Sequence, residues 1–181
     1  FARFSRPTAL VLRSAVAVVA PYQTGTALMF RIANGRSSQL IDLKATVTFS
    51  WMDRSDAARA VRRFRQLPLE RDTVSLLPTQ WIIVHPINER SPLAGLDQAG
   101  IFAMDPELFV TIAAIDETFS QPVYTRFSYA DEEIVHGARF TDLFGTTPGG
   151  VVSVDLARLS EFDRVPLPPL EYTPPTLSTK A

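Results

Sequence analysis

The sequence predicts an all-β chain folded as an antiparallel sandwich, and three observations carry that expectation. The 181 residues break into short runs of strand character separated by Pro, Gly and Asn turns, with no long helical period and no internal repeat. The stretch Leu40 to Trp51 alternates Ile41, Leu43, Ala45, Val47, Phe49 and Trp51 with Asp42, Lys44, Thr46, Thr48 and Ser50. That period of two puts the first set against a core and Asp42 on a wet face. The run Leu108 to Ile115 is too short, and too rich in Val, Ile and Thr, to make a good helix, so it reads as a strand covered on both faces.

Taken in order, Phe1 to Thr8 is a basic and aromatic lead-in, with Pro7 ending any helix that enters from upstream. Leu10 to Val19 reads as the first strand, and Pro21 to Gly25 as a turn in which Gly25 supplies the positive φ. Thr26 to Asn34 is a second strand closed by Asn34-Gly35, and Leu40 to Trp51 a third. Asp53 to Arg65 is a short helix capped by Ser55 or, the favoured reading, a solvated loop leading into a strand. Leu67 to Leu77 and Thr79 to Ile87 follow as strands, Pro86 stopping the second or placing it on an edge, and Leu96 to Asp105 is the expected short helix. A hairpin comes next: Leu108 to Ile115, the acids Asp116 and Glu117, a polar connection from Thr118 to Pro122, and the return run Val123 to Tyr129. Gly137 to Phe144 and Val151 to Leu159 read as the last strands, and residues 165–181 as an extended Pro-rich tail without packed structure.

Composition limits what the chain can do. At 20.1 kDa it has room for one good core, and its 46% hydrophobic and 20% charged residues are ordinary for a globular protein. Without cysteine there is no disulfide frame, thiolate metal site or cysteine nucleophile. Any histidine-based zinc site or triad would have to use His85 or His136. No run approaches a membrane span. The net charge of −1 divides unevenly, with 12 basic and 4 acidic residues up to Arg71, then 6 and 15 from Asp72 onward. A molecule with one anion-facing and one cation-facing side has that polarity. The first residue, Phe rather than Met, reads as the start of a piece of something longer.

Three candidate sites have ordinary structural readings beside them. The arginines between Arg59 and Arg65 flank Phe64, but no second basic and aromatic patch supports contact with nucleic acid, and none is expected. Asp131, Glu132 and Glu133 are adjacent rather than alternating, an awkward cage for a cation, so no metal site is assigned. Asp116 and Glu117, as strand neighbours, point to opposite faces and make a poor catalytic pair, and there is no G-x-S-x-G nucleophile motif; no catalytic residue and no enzymatic activity is assigned.

Four segments, TALMFRIAN (Thr26 to Asn34), WIIVHPINERSPLAGL (Trp81 to Leu96), ETFSQPVYTRFSY (Glu117 to Tyr129) and DEEIVHGARF (Asp131 to Phe140), resemble in order and spacing the cytoplasmic domain of inward-rectifier potassium channels, the prokaryotic members in particular. The resemblance runs from about Phe1 to Leu159. It implies an immunoglobulin-like β-sandwich over residues 9–164, with residues 1–8 as the linker from a second transmembrane helix, and a homotetramer beneath the bacterial inner membrane. The partner upstream would be the channel's own transmembrane pore domain; the filter signature and both membrane helices lie outside this chain. It also implies a pore-extending and gating role in which Asp42 and Glu117 line an acidic vestibule and Thr118, Phe119, Ser120, Gln121, Pro122 and Val123 form a gating loop. No cofactor is implied; K⁺ would pass, with Mg²⁺ or polyamines as blockers. Arg3, Arg6 and Arg36 would face anionic phospholipid headgroups. Three departures stand out: Thr8, Ala9 and Leu10 where many animal members are densely basic, Asn88 where the family usually has Asp, and His136 where Trp is common. The alternative reading is a soluble immunoglobulin-like binding module using the same hairpin to hold a peptide or sugar, which a signal peptide upstream would favour.

Overall fold

The computed structural model describes residues 11–77 and 79–169. In chain order the strands are β1 (Val11–Arg13), β2 (Ala17–Tyr22), β3 (Gly25–Asn34), β4 (Leu40–Asp53), β5 (Val61–Gln66), β6 (Thr73–Leu76) and β7 (Gln80–Ile87). A helix α1 (Gln98–Ala103) is followed by β8 (Glu107–Asp116), β9 (Gln121–Ala130), β10 (Ile134–His136), β11 (Ala138–Phe140), β12 (Phe144–Thr146), β13 (Val152–Val154) and β14 (Phe162–Arg164). They form two five-stranded sheets, β1-β3-β2-β10 with β7 on β3, and β5-β4-β8-β9 with β6 on β4. β11 with β14, and β12 with β13, make two small ribbons. This is the all-β sandwich that the alternating runs predict.

The core lies between the sheets. Leu28, Phe30, Ile32 and Ile83 of the first sheet meet Leu43, Val47, Phe49, Leu108, Val110 and Ile112 of the second. Each such side chain removed from water contributes roughly 1.5–3 kcal/mol before conformational entropy is charged against it. Period two is what makes this interior continuous, because β8 buries Leu108, Val110, Ile112 and Ala114 in turn. The other face of β8 is open in this chain, with Phe109 39% and Ile115 36% exposed, so the expectation that both faces are covered does not hold.

Several boundaries differ from the sequence reading for local reasons. The first run divides at Ser14 to Val16: Arg13 pairs with Ile32 and Val18 with Met29, so five steps on one strand match three on β3. The buried Ser14 hydroxyl holds this bulge by donating to the Val16 carbonyl at 2.8 Å. In the next turn the positive φ falls on Gln23 (50°), whereas Gly25 already belongs to β3. In β4 the ladder to β8 slips between Ile41 and Lys44, and Asp42 has φ 48°. The alternation therefore holds from Leu43 onward but inverts before the bulge, burying Leu40 rather than Ile41.

Residues 53–65 contain no helix; after a loop, β5 returns along β4 with Trp51 opposite Arg63. Residues 67–77 keep only the short β6, the helix shortens to Gln98–Ala103, and the Gly137 to Phe144 and Val151 to Leu159 runs each yield shorter strands. Past residue 164 the chain still packs: the Val165 amide donates to the Gly137 carbonyl at 2.9 Å, and Leu167 lies against the main core.

Candidate functional site

The β8–β9 connection is a four-residue turn, residues 117–120, because Gln121 already pairs with Asp116. The gating loop expected at 118–123 is therefore shorter: Gln121, Pro122 and Val123 belong to β9, and Val123 is buried. Thr118, Phe119 and Ser120 are exposed, Phe119 by 56%, and Ser120 sits at φ 50°, a left-handed conformation that a non-glycine residue adopts only when its surroundings impose it.

The two acids at the head of the turn part company. The Glu117 side chain is exposed while its amide donates to the Gln39 carbonyl at 3.1 Å, and no ion pair holds it among the described residues. Asp116 is fully buried. Its Oδ1 accepts the Thr118 and Phe119 amides at 3.0 and 3.2 Å, and its Oδ2 accepts the Ser38 hydroxyl at 2.8 Å. Arg36 Nη1 stands 3.2 Å from the same Oδ2. Burial would raise the Asp116 carboxyl, but the Ser38 hydroxyl, the Phe119 amide, the Arg36 charge and the Thr118 amide outweigh it and hold it below the usual carboxylate value.

This changes the reading of Arg36. Its side chain is 13% exposed and paired inside the protein rather than presented to solvent. Arg3 and Arg6, with the rest of the 1–8 linker, lie outside the described residues. Asp42 is exposed as expected, for a reason the alternation does not contain: the bulge turns it outward at positive φ. It shares a shallow recess with Lys44, Thr73 and Ser75.

The remaining candidates have structural explanations. His85 is bonded at both ring nitrogens, to the Pro68 carbonyl and the Ser91 hydroxyl. His136 is half-buried, its amide held by Gln98 Oε1 at 2.8 Å. Of the basic run, Arg62 pairs with Asp105, Arg63 with Asp53 at 3.1 Å, and Arg65 donates to the Arg90 carbonyl at 2.9 Å. Glu133 caps the Ala130 amide at 2.8 Å and Asp131 accepts the Glu132 amide, so these acids shape a turn.

Sequence reasoning does not find Ser38, Arg13 or Arg31. Arg13 lies 5.1 and 5.0 Å from the Phe127 and Tyr129 rings and donates to the Ser128 carbonyl, tying β1 to β9. Only the place of Arg31 inside an otherwise apolar strand hints at a buried cation.

The arrangement defines a class of protein: a β-sandwich that presents isolated carboxylates on a braced turn and a bulge. The comparisons agree and go further. The family model described as "Inward rectifier potassium channel C-terminal domain" matches residues 11–176. The inward rectifier potassium channel Kirbac3.1 of Paramagnetospirillum magnetotacticum is 33% identical over 161 residues, which is 89% of this chain and 55% of that protein. The ATP-sensitive inward rectifier potassium channel 8 of Rattus norvegicus is 29% identical over 157 residues, 84% of this chain and 37% of that protein. The G protein-activated inward rectifier potassium channel 4 of Homo sapiens is 25% identical over 149 residues, 77% of this chain and 34% of that protein.

The chain belongs to the inward rectifier potassium channel C-terminal domain family. That is a family of ion-channel domains, not of enzymes. The chain spans roughly a third to just over half the length of these relatives. Among the described residues no helix is long and apolar enough to cross a membrane.

Proposed function

We propose that four copies of this domain surround a common axis on the cytoplasmic side of the bacterial inner membrane and extend the ion path of the transmembrane pore upstream. The turn at residues 117–120 is the constriction, and Glu117 and Asp42 form rings of carboxylate that concentrate K⁺ and hold blocking Mg²⁺ or polyamines. The observation that carries the reading is Glu117 itself, an exposed acid at the mouth of a turn fixed from below by Asp116. A pair of unit charges about 4 Å apart is worth only ~1 kcal/mol in water, so the effect depends on several acids focused in a confined lumen. Anionic phospholipid headgroups act as regulators through Arg3 and Arg6. The guanidinium of Arg36 is engaged by Asp116, so its part in lipid contact requires that pair to open.

The test is current through the channel that carries this domain, in a planar bilayer with spermine or Mg²⁺ added on the domain's side. Neutralising both acids, Glu117→Gln with Asp42→Asn, should weaken block by about tenfold or more, since each ring loses four charges. Unchanged block with unchanged rectification would reject the acidic lumen. A cross-linked mass other than four copies would reject the ring.

A further inference from the structure

The two oxygens of Asp116 have separate tasks. Oδ1 faces forward into the turn and accepts the Thr118 and Phe119 amides, while Oδ2 faces the 35–38 segment and meets Ser38 and Arg36. That segment is itself folded by Asn34, whose side chain donates to the Ser38 carbonyl at 2.7 Å and accepts the Arg36 amide at 2.9 Å. The backbone adds another brace, since Leu40 pairs with Asp116 and the Glu117 amide donates to the Gln39 carbonyl. Two segments some 80 residues apart in sequence thus share one buried carboxylate.

We infer that Asp116 is the positioning residue of the 117–120 turn and that Arg36 acts on the turn through it. This deepens the proposed gating role and rests on it for its physiological meaning, although the mechanical linkage can be tested on the chain alone. The physical reason is the cost of leaving an anion buried without its cation. With Arg36 withdrawn, Asp116 keeps one hydroxyl and two amides as partners. Its readiest relief is to swing toward water, which takes away the acceptor that holds Thr118 and Phe119. Beyond the backbone bond at Glu117, no other side chain among the described residues bonds to residues 118–120, where Phe119 is exposed and Ser120 is held at positive φ. Arg36 Nη1 is within ion-pair distance of Oδ2 but makes no directed hydrogen bond. The link is therefore one of charge more than of fork geometry, and a lysine should substitute for much of it.

The experiment is amide hydrogen exchange by NMR on the whole chain, wild type against Arg36→Gln, Arg36→Lys and Asp116→Asn. In Arg36→Gln the Thr118 and Phe119 amides should exchange about tenfold faster while Val110, in the middle of β8, keeps its rate, the signature of local rather than global opening. Arg36→Lys should recover most of the protection. Asp116→Asn should loosen the same two amides by at least as much. Unchanged Thr118 and Phe119 rates in Arg36→Gln would overturn the inference, as would acceleration spread equally to Val110, which would make the pair a general stabiliser. Because the readout is the turn itself, loss of the pore-lining role in the bilayer test would leave this result standing, and the reverse also holds.

Discussion

His85 and Ser91 share a buried proton: the imidazole Nε2 lies 2.8 Å from the Ser91 hydroxyl, while Nδ1 lies 2.6 Å from the carbonyl of Pro68. A carbonyl only accepts, so the neutral ring carries its hydrogen on Nδ1 and Nε2 accepts from serine. A second proton on the ring would reverse this bond, with Nε2 donating to the serine oxygen, and would place a charge in a buried site while the serine hydrogen has to find another acceptor. Arg65, Glu70 and Arg90 line the adjoining recess, where two of the three charges oppose a further cation.

Stability should therefore fall on acidification. Burial pushes the His85 pKa below its usual 6.5, and the hydrogen bond to Pro68 only partly opposes it. The folded state then binds the proton less readily than the unfolded one. The contribution is complete above the unfolded value and is lost as pH drops below it toward the folded value. Urea midpoints should decline between about pH 7 and pH 5, the range just around the ordinary histidine value. His136 is shifted in the same direction, again first by burial, so single variants His85→Gln and His136→Gln are needed to apportion the slope. A flat profile in wild type, or a slope untouched by His85→Gln, would contradict this assignment.

Arg31 should matter more to stability than any surface arginine. Its guanidinium donates to the carbonyls of Leu159, Thr141 and Arg158 at 2.6, 2.6 and 2.7 Å, and to Glu161 at 3.2 Å, with the Phe140 ring 4.5 Å away. It clamps residues 141–161 onto β3. Arg31→Met would leave several buried carbonyls without donors and should cost about 3 kcal/mol or more, read from urea unfolding. Arg31→Lys should recover less than half, because an ammonium cannot span acceptors arranged for a planar fork. Proteolysis within the exposed turn at residues 147–150 should accelerate in both variants.

Tyr129 offers a smaller and cleaner measurement. Its hydroxyl donates to the Ser14 carbonyl at 3.0 Å and lies 3.4 Å from the Ser14 hydroxyl, closing the bulge between β1 and β2 over β9. Burial pushes its pKa up, so it should titrate later than an ordinary tyrosine in an absorbance scan. Tyr129→Phe should cost about 1–2 kcal/mol, the loss of one buried hydrogen bond and its partner's satisfaction. A cost near zero would mean that water replaces the hydroxyl.

The strands are legible in the sequence wherever one face is buried, because alternation is then imposed by the core. Leu43 to Phe49 and Leu108 to Ala114 show this. The bulges are not legible. At Asp42 and at Ser14 the side-chain pattern continues across the irregularity, and only the hydrogen-bonded register reveals the extra residue. The ends of the long runs fail for another reason, since residues 67–77 and 137–159 keep only short ladders, β6 on β4, β11 on β14 and β12 on β13, and are otherwise held by single backbone contacts and, in the second segment, by Arg31.

Of the candidate site, a polar turn after β8 and the opposite facing of Asp116 and Glu117 are legible in the sequence, whereas the bounds of the turn are not, since Gln121 already pairs with Asp116. That Asp116 would be the buried member, with Arg36 as its partner, depends on a contact 80 residues away that no local pattern encodes. Arg36 shows the limit of residue type as a guide, because a basic side chain beside a turn reads as a surface cation until its partner is seen.

Gly137 should be intolerant of any side chain, on two grounds that add. Its φ is 75°, a conformation that costs an L-residue roughly 1–2 kcal/mol, and a Cβ there would stand 3.1 Å from the Val165 carbonyl oxygen. The residue also joins three segments: its amide donates to the Val19 carbonyl and its own carbonyl accepts the Val165 amide, both at 2.9 Å. The backbone cannot relax away from the clash without releasing β2 or the 165–169 segment. Gly137→Ala should therefore lower stability by about 2 kcal/mol or more and expose Leu167, detectable as faster cleavage near residue 165. Gly149→Ala is the control: its φ is ordinary and nothing lies within 4 Å of the added methyl, so its effect should stay within about 0.5 kcal/mol. Equal effects at the two glycines would show that chain entropy alone, rather than the junction at Gly137, sets the cost.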